Sequence, residues 1–193
     1  MATCYETLSL DDCHELLSLC KGLRISGVWR SIDPCVFLEI GRLSRTALTP
    51  VHVRLKATPR QQGQVTFMIE SDWRIEKPRS IQVGSGFRTG RIDKGLASLV
   101  GVSIVGAELA GAVPELTLLL DDRRRFRTFT NWTHQPRWSF GFNDASLFPL
   151  RPEWKGVDVI PWVHVQAGRI EIEYCYDHRT AQARKAIKKM GFK

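Results

Sequence analysis

The chain has 193 residues, of which 43% are hydrophobic and 25% are charged, and its formal net charge is +8. No run of about 18 apolar residues occurs, which excludes a transmembrane helix. The first residues lack the basic start and apolar core of a signal peptide, so we expect a cytoplasmic protein with no membrane partner. The basic balance favours anionic partners, either nucleic acid or an acidic protein surface.

The five cysteines are odd in number and irregularly spaced: Cys4, Cys13, Cys20, Cys35 and Cys175. This pattern predicts free thiols in a reducing compartment rather than a disulfide framework. Zinc sites need paired short spacings such as Cys-x-x-Cys, and none occurs. Cys175 and His178 could supply two ligands, but no second pair accompanies them. We therefore predict no metal and no cofactor.

The first predicted element is a helix. Ser9 can cap it, with Asp12 three residues on as the capping-box partner, and an apolar stripe at helical spacing continues up to a stop at Gly22. Most of the chain beyond this helix is strand-like. The predicted strands are two within 28–41 around a turn at 33–34, then 51–57, 64–70 and 80–84.

A turn at Asp121 and Asp122 is predicted to lead into an arginine-rich edge strand. Its arginines could bind phosphates or carboxylates, or they could simply protect an exposed edge from aggregation. The next segment, 131–144, places aromatic residues beside them, as in protein-binding hot spots and base-stacking platforms. The partner-binding candidates are Arg123, Arg124, Arg125, Arg127, Trp132 and His134.

A hairpin over 157–165 and 169–177 and a basic helix over 178–193 are predicted to end the chain. The fold class is therefore α+β, in one domain over 1–193. We expect a strand-rich antiparallel sheet built from a twofold internal repeat, with an N-terminal helix and a C-terminal hairpin plus basic helix.

The internal repeat is suggested by 17–27 and 96–106, which match at a constant offset of 79 residues. The units span approximately 17–83 and 96–142, and 151–193 is a C-terminal extension. A Trp-centred segment closes each unit, at Trp73 and at Trp138. A large aromatic wanted twice in one structural role is more typical of a core than of an active site.

Two patterns leave room for chemistry. The glycine-rich segment 84–90 lies between a strand and a short helix, where a phosphate-binding loop would lie, although a plain connection explains it as well. Glu70, Asp72 and Arg74 could line a catalytic cleft, although acidic residues beside basic ones are more often exposed ion pairs. Because no catalytic motif accompanies them, we favour a protein that is not an enzyme.

Three segments carry a resemblance to a known group of proteins: 99–104 (Leu-Val-Gly-Val-Ser-Ile), 70–75 (Glu-Ser-Asp-Trp-Arg-Ile) and 83–85 (Val-Gly-Ser). The region from about 17 to 142 resembles bacterial immunity proteins of polymorphic-toxin and contact-dependent-inhibition systems. The resemblance implies a non-catalytic module that binds and neutralises a cognate protein toxin. Such proteins are typically acidic when they oppose basic nucleases, whereas this chain is basic. Nucleic-acid binding through the arginines and C-terminal lysines is the alternative.

Overall fold

In a computed structural model of the chain, the structure describes residues 2–31, 35–45, 61–130, 138–144, 146–149, 152–154, 157, 159–166, 169–176 and 179–190. Four sequence predictions lie outside these residues: the turn at 33–34, the strand over 51–57, and the binding candidates Trp132 and His134.

The helices of the described residues are α1 (Leu10–Ser18), α2 (Thr89–Ala97) and α3 (Ala181–Met190), with a short 3₁₀ helix at Pro152–Trp154. The strands are β1 (Ala2–Thr7), β2 (Ile25–Arg30), β3 (Val36–Ile40), β4 (Ser44–Arg45), β5 (Gln61–Gln62), β6 (Val65–Ile69), β7 (Asp72–Lys77), β8 (Ser80–Gly84), β9 (Ile104–Ala110), β10 (Glu115–Leu120), β11 (Arg125–Phe129), β12 (Trp138–Phe142), β13 (Val159–Gln166) and β14 (Arg169–Tyr176).

These strands form antiparallel sheets, as predicted. Across the described ranges, one sheet has seven strands in the order β1-β14-β13-β12-β6-β3-β2, and another has five in the order β8-β7-β11-β10-β9. Strands β4 and β5 pair separately as a short ribbon. The α+β, strand-rich class is thereby confirmed, with the strands divided between sheets rather than joined in a single one.

Both ends of the chain add to the seven-stranded sheet. The helix near the N-terminus has the predicted capping box, in which Asp12 N donates to Ser9 Oγ and Ser9 N donates to Asp12 Oδ2. A strand that the sequence pattern did not indicate, β1, precedes that helix and pairs with β14. The C-terminal hairpin of β13 and β14 and the basic helix α3 are present as predicted.

The two larger sheets share one hydrophobic core. Trp73 and Trp138 belong to it, with 1% and 3% of their surfaces exposed, which confirms the structural interpretation of both residues. Trp73 stacks against Phe126, and Trp138 stacks against Phe140. Burial of such rings contributes strongly to core stability because each removes a large apolar area from water.

Two stretches 79 residues apart have matching geometry. Helix α1 and helix α2 begin and end at that offset, and so do the glycines that come after them. Gly22 N donates to Ile104 O at 2.8 Å, and Gly101 N donates to Ile25 O at the same distance. An isolated bridge between Arg24 and Ser103 lies between the two stretches. A common origin of the two units stays a prediction, but their contacts are reciprocal.

The strands that contain the tryptophans are exchanged between the units. Strands β2, β3 and β6 are consecutive neighbours in one sheet, and β9, β10 and β11 are consecutive neighbours in the other. The expectation that each Trp-centred segment closes its own unit is wrong. Trp73 on β7 pairs with Thr128 on β11, and Trp138 on β12 pairs with Ile69 on β6. Residues 70–71 therefore carry the chain from one sheet to the other.

A candidate protein-interaction surface

The arginine-rich strand is not at an edge. Strand β11 is the central strand of the five-stranded sheet, with β10 on one side and β7 on the other. The predicted edge position is wrong because β7 arrives from the other unit and pairs along the whole of β11. Its arginines therefore do not protect a free backbone edge. They project from the middle of a sheet, where the pairing on both sides holds the backbone in place.

The predicted alternation along this strand is confirmed. Phe126 and Thr128 are buried on the inner face, while Arg125, Arg127 and Phe129 lie on the outer face. The Arg74 guanidinium on the neighbouring strand lies over the Phe129 ring, 5.4 Å from its centroid. Arginine and aromatic side chains are thus arranged side by side on a rigid backbone, which is a composition enriched in protein-binding hot spots.

The turn between β10 and β11 separates two of the predicted binding residues. Arg123 is exposed and has a positive φ of 67°. The Arg124 side chain is only 11% exposed and pairs with Asp122 at 2.6 Å. Its guanidinium also donates to the Ser98 hydroxyl at 2.6 Å and to the Ser98 carbonyl oxygen at 2.7 Å. Arg124 therefore fastens the turn to the end of α2, and its donors are directed inward.

The Asp122 carboxyl responds to this contact. Partial burial acts to raise its pKa, but the hydrogen bonds and the positive charge of Arg124 act in the opposite direction and leave the pKa below its ordinary value. The ionised form is consequently favoured in the folded protein. This coupling shows that Arg124 and Asp122 form one structural unit at the sheet end.

Arg125 and Arg127 differ in how they are held. Arg127 approaches Glu115 at 3.8 Å, at the long end of ion-pair distances. Arg125 is exposed and lies directly opposite Glu76, which itself pairs with Arg74. Among the described residues Arg125 has no ion pair. Of the four arginine candidates, Arg123 and Arg125 present the least engaged charges, and Arg124 the most engaged one.

The acidic residues of the possible catalytic cleft have separate contacts. Asp72 accepts a hydrogen bond from the Ser85 hydroxyl at 2.6 Å, and Arg74 pairs with Glu76. Glu70 is exposed, one residue past the end of β6. These contacts are those of surface ion pairs and a loop anchor. Catalysis by this group stays a hypothesis without a shared site for a reacting atom.

The glycine-rich segment does connect a strand to a helix. Strand β8 ends at Gly84, and α2 begins at Thr89, with no side-chain hydrogen bond from the N-cap residue Arg88. Arg91 lies over the Phe87 ring at 4.2 Å and donates to the Gln82 carbonyl oxygen at 3.1 Å. Phosphate binding at this loop stays a prediction.

Two exposed apolar side chains near this helix were not identified from the sequence. Ile81 is 51% exposed and Phe87 is 36% exposed. Simple alternation puts Ile81 on the same buried face as Val83. A register shift lets Val83 pair with Ile75 while Ile81 pairs with Glu76, so one extra residue turns Ile81 outward. No period-two pattern could have indicated this, because the bulge depends on the pairing with β7.

A buried carboxylate was also missed. Glu39 on β3 is 1% exposed, and it accepts hydrogen bonds from Trp29 Nε1 at 2.9 Å, Gly63 N at 2.9 Å and Thr66 Oγ1 at 2.6 Å. Asn143 extends this network by donating to Thr66 Oγ1. A carboxylate satisfied in this way is a structural anchor, since burying it without these donors would be costly.

A small polar pocket lies beside this network. Its volume is about 240 Å³, and its lining consists of Arg42, Ser44, Gly63, Gln64, Asn143 and Asp144. Gln64 donates to Asp144 at 2.9 Å and accepts from Arg42 N at 3.0 Å. Hydrogen bonds to Ser146 and Gln64 hold the pKa of Asp144 below its ordinary value. The polar groups of this pocket are largely engaged with one another.

The thiols are unreactive where they are buried. Burial raises the pKa of Cys13 and of Cys20 to about 12, so neither forms a thiolate near neutral pH. Within the part of the chain that the structure describes, no group of three or more His, Cys, Asp or Glu side chains is arranged to hold a metal ion. In the same residues, no helix has the length and apolar character needed to cross a membrane.

Comparison with protein-family models, with curated proteins and with solved structures found no match for this chain. The geometry and charge of the described residues are therefore the grounds on which a function can be proposed.

Proposed function

We propose that this chain is a non-catalytic protein-binding module of the immunity type, which binds and neutralises a cognate toxin. The observation that carries the proposal is the outer face of the five-stranded sheet. It displays Arg125 and Arg127 next to Phe129, on a central strand whose backbone is paired on both sides. A preorganised arginine and aromatic surface loses little conformational entropy on binding, which favours tight association.

The toxin part of the proposal rests on the resemblance carried by 70–75, 83–85 and 99–104. The charge of the chain refines it. Because exposed charges steer association and select partners by complementarity, a protein with a net charge of +8 is suited to a partner that is acidic where it makes contact. Such a protein blocks its target by covering it and performs no chemistry.

The test is reconstitution with the protein encoded beside this chain in its native host. We expect a 1:1 complex by calorimetry and protection of cells that produce the neighbouring protein. Arg125→Glu with Arg127→Glu should weaken the complex by at least roughly tenfold, which corresponds to about 1.4 kcal/mol. Lys185→Glu with Lys189→Glu on α3 is the control, since both residues are exposed and the net charge changes equally. Absence of protection would overturn the proposal.

Nucleic-acid binding is the second candidate, favoured by the exposed arginines of the same sheet face. It predicts that the logarithm of the affinity for duplex or single-stranded oligonucleotides falls linearly with the logarithm of salt concentration. Fluorescence anisotropy over a salt series measures this slope. A steep slope that becomes shallower in the Arg125→Glu, Arg127→Glu variant would favour this candidate over the toxin inhibitor.

A further inference from the structure

We propose that the partner's contact passes through a second surface, formed by β8 and α2, and that an acidic protein segment with apolar side chains docks there. We call it the β8–α2 surface, and its residues are Arg79, Ile81, Phe87, Arg88, Arg91 and Lys94. The inference rests on the proposed function, because it names the chemistry of the segment that such a module would bind.

The β8–α2 surface combines apolar and cationic groups that are open to solvent. Ile81 and Phe87 are two of the exposed large hydrophobic side chains of the described residues. Arg79, Arg88 and Lys94 surround them, are exposed, and make no ion pair with a described residue. Apolar anchors within a ring of arginines are typical of protein interfaces, which are enriched in aromatic residues and arginine.

The matched helix α1 shows that these cations are not a requirement of the fold. Arg88, Arg91 and Lys94 lie 79 residues after Ser9, Asp12 and Glu15, so a cap and two acids in one unit correspond to three cations in the other. The buried sides remain apolar, with Cys13 and Leu17 in α1 and Ile92 and Leu96 in α2. Only the outward side has reversed its charge, which is typical of a surface adapted to a partner.

The cations also oppose the intrinsic preference of the helix. The first turn of a helix favours acidic residues and a capping side chain because of its unpaired N–H groups and its dipole. In α2 the N-cap is Arg88, which makes no side-chain capping bond, and the first turn contains no acid. An acidic segment bound across this surface would relieve the repulsion and occupy the place that the intrinsic cap occupies in α1.

The apolar anchors distinguish a protein partner from nucleic acid. Phe87 could stack on a base, but Ile81 has no π face, and it is the more exposed of the two. An aliphatic anchor contributes by burial in an apolar pocket or against a side chain of the partner. We therefore expect alternating acidic and apolar residues in the segment that binds.

The experiment uses two labelled peptides, one of alternating glutamate and leucine and one of alternating glutamate and serine, with single-stranded DNA as a third probe. Fluorescence anisotropy gives each affinity for the full chain. We expect the leucine peptide to bind roughly tenfold more tightly than the serine peptide, since burial of even one leucine is worth at least about 1.5 kcal/mol. Ile81→Ser with Phe87→Ser should abolish this preference.

Charge variants complete the test. Arg88→Glu with Lys94→Glu should abolish binding of both peptides, whereas the control Lys185→Glu with Lys189→Glu, of the same net charge, should retain it. Equal losses in both charge variants, a leucine preference that survives Ile81→Ser with Phe87→Ser, or tighter binding of DNA than of the leucine peptide would overturn the inference. Because the peptides are tested without the neighbouring protein, a failed inhibitor proposal and a failed docking surface give different results.

Discussion

The outer faces of the two larger sheets differ at matching places. In the seven-stranded sheet, Glu39 lies opposite Thr66, and Thr66 lies opposite Gly141. In the five-stranded sheet, the equivalent row is Leu119, Arg125 and Glu76. The register shifts near the start of β2 and of β9 also correspond, because Ile25 pairs with Ile40 and Ile104 pairs with Leu120. The backbone frame is shared, while the outward side chains differ in kind.

This contrast indicates which face each sheet uses for stability and which it offers to solvent. On the first sheet the outward carboxylate of Glu39 is buried and fully hydrogen-bonded. On the second sheet the outward guanidinium of Arg125 is exposed. Inward positions are apolar in both sheets, as at Phe67 and Phe126. Binding residues are therefore expected on the outer face of the five-stranded sheet and beside α2, where charge is available for a partner.

Replacing the buried carboxylate by the residue at its matching place should cause the greatest loss of stability. Glu39→Leu removes the acceptor of Trp29 Nε1, Gly63 N and Thr66 Oγ1. Buried donors left without partners cost about 1–3 kcal/mol each, so we expect the free energy of unfolding to fall by at least about 3 kcal/mol. Urea denaturation measures it.

The control for this change is Leu119→Met in the other sheet, for which we expect a loss of less than about 1.5 kcal/mol because side-chain volume is nearly kept. If Glu39→Leu cost no more than this control, the two outer faces would be interchangeable, and the distinction between an anchoring face and a binding face would be wrong.

A more moderate loss is expected where the two arginines of one strand end differ. Arg124→Ala should lower the free energy of unfolding by about 1.5 kcal/mol, because charge-assisted hydrogen bonds to Asp122 and Ser98 are lost. Arg125→Ala should change it by less than about 0.5 kcal/mol. Thermal or urea unfolding of both variants shows whether burial separates structural from available arginines, and equal losses would contradict that separation.

The Arg124 contribution should depend on pH. In the folded state the pKa of Asp122 lies below its ordinary value, which is about 3.9 for an unfolded chain. The carboxylate therefore stabilises the fold above that pH, and this stability is lost as the pH falls through the folded pKa. We expect the difference between the natural chain and Arg124→Ala to shrink below about pH 4. A constant difference down to lower pH would show that packing rather than charge carries it.

A last and minor change tests the likeness of the units rather than their difference. Gly22 and Gly101 have φ values of +85° and +91°, and an added Cβ would meet no atom within 4 Å at either position. Alanine should cost about 1 kcal/mol at each, from the backbone conformation alone. Gly90→Ala within α2 is the control and should be neutral or slightly stabilising. Unequal losses at Gly22 and Gly101, measured by urea unfolding, would break the correspondence.

Local patterns in the sequence predicted much of the secondary structure. The alternation along β14 gives the buried and partly exposed positions in turn, from Arg169 to Tyr176. The capping box at Ser9 and Asp12 marks the start of α1 because its donors and acceptors are only three residues apart. The burial of Trp73 and Trp138 and the turn before the arginine-rich strand were likewise predicted. In each case the interactions that decide the outcome lie within a few residues of one another.

The candidate binding surface depended on contacts that no short stretch contains. The exchange of β7 and β12 places Arg125 at the centre of a sheet instead of an edge, and a shift in the pairing of β8 turns Ile81 outward. The burial of Glu39 requires donors from β2, from β6 and from Gly63, which lies two residues before β6. Strand pairing is selected by the free energy of the whole core. For that reason the order of residues specified which segments become helices and strands, whereas packing across the two sheets selected which of their side chains remain available to a partner.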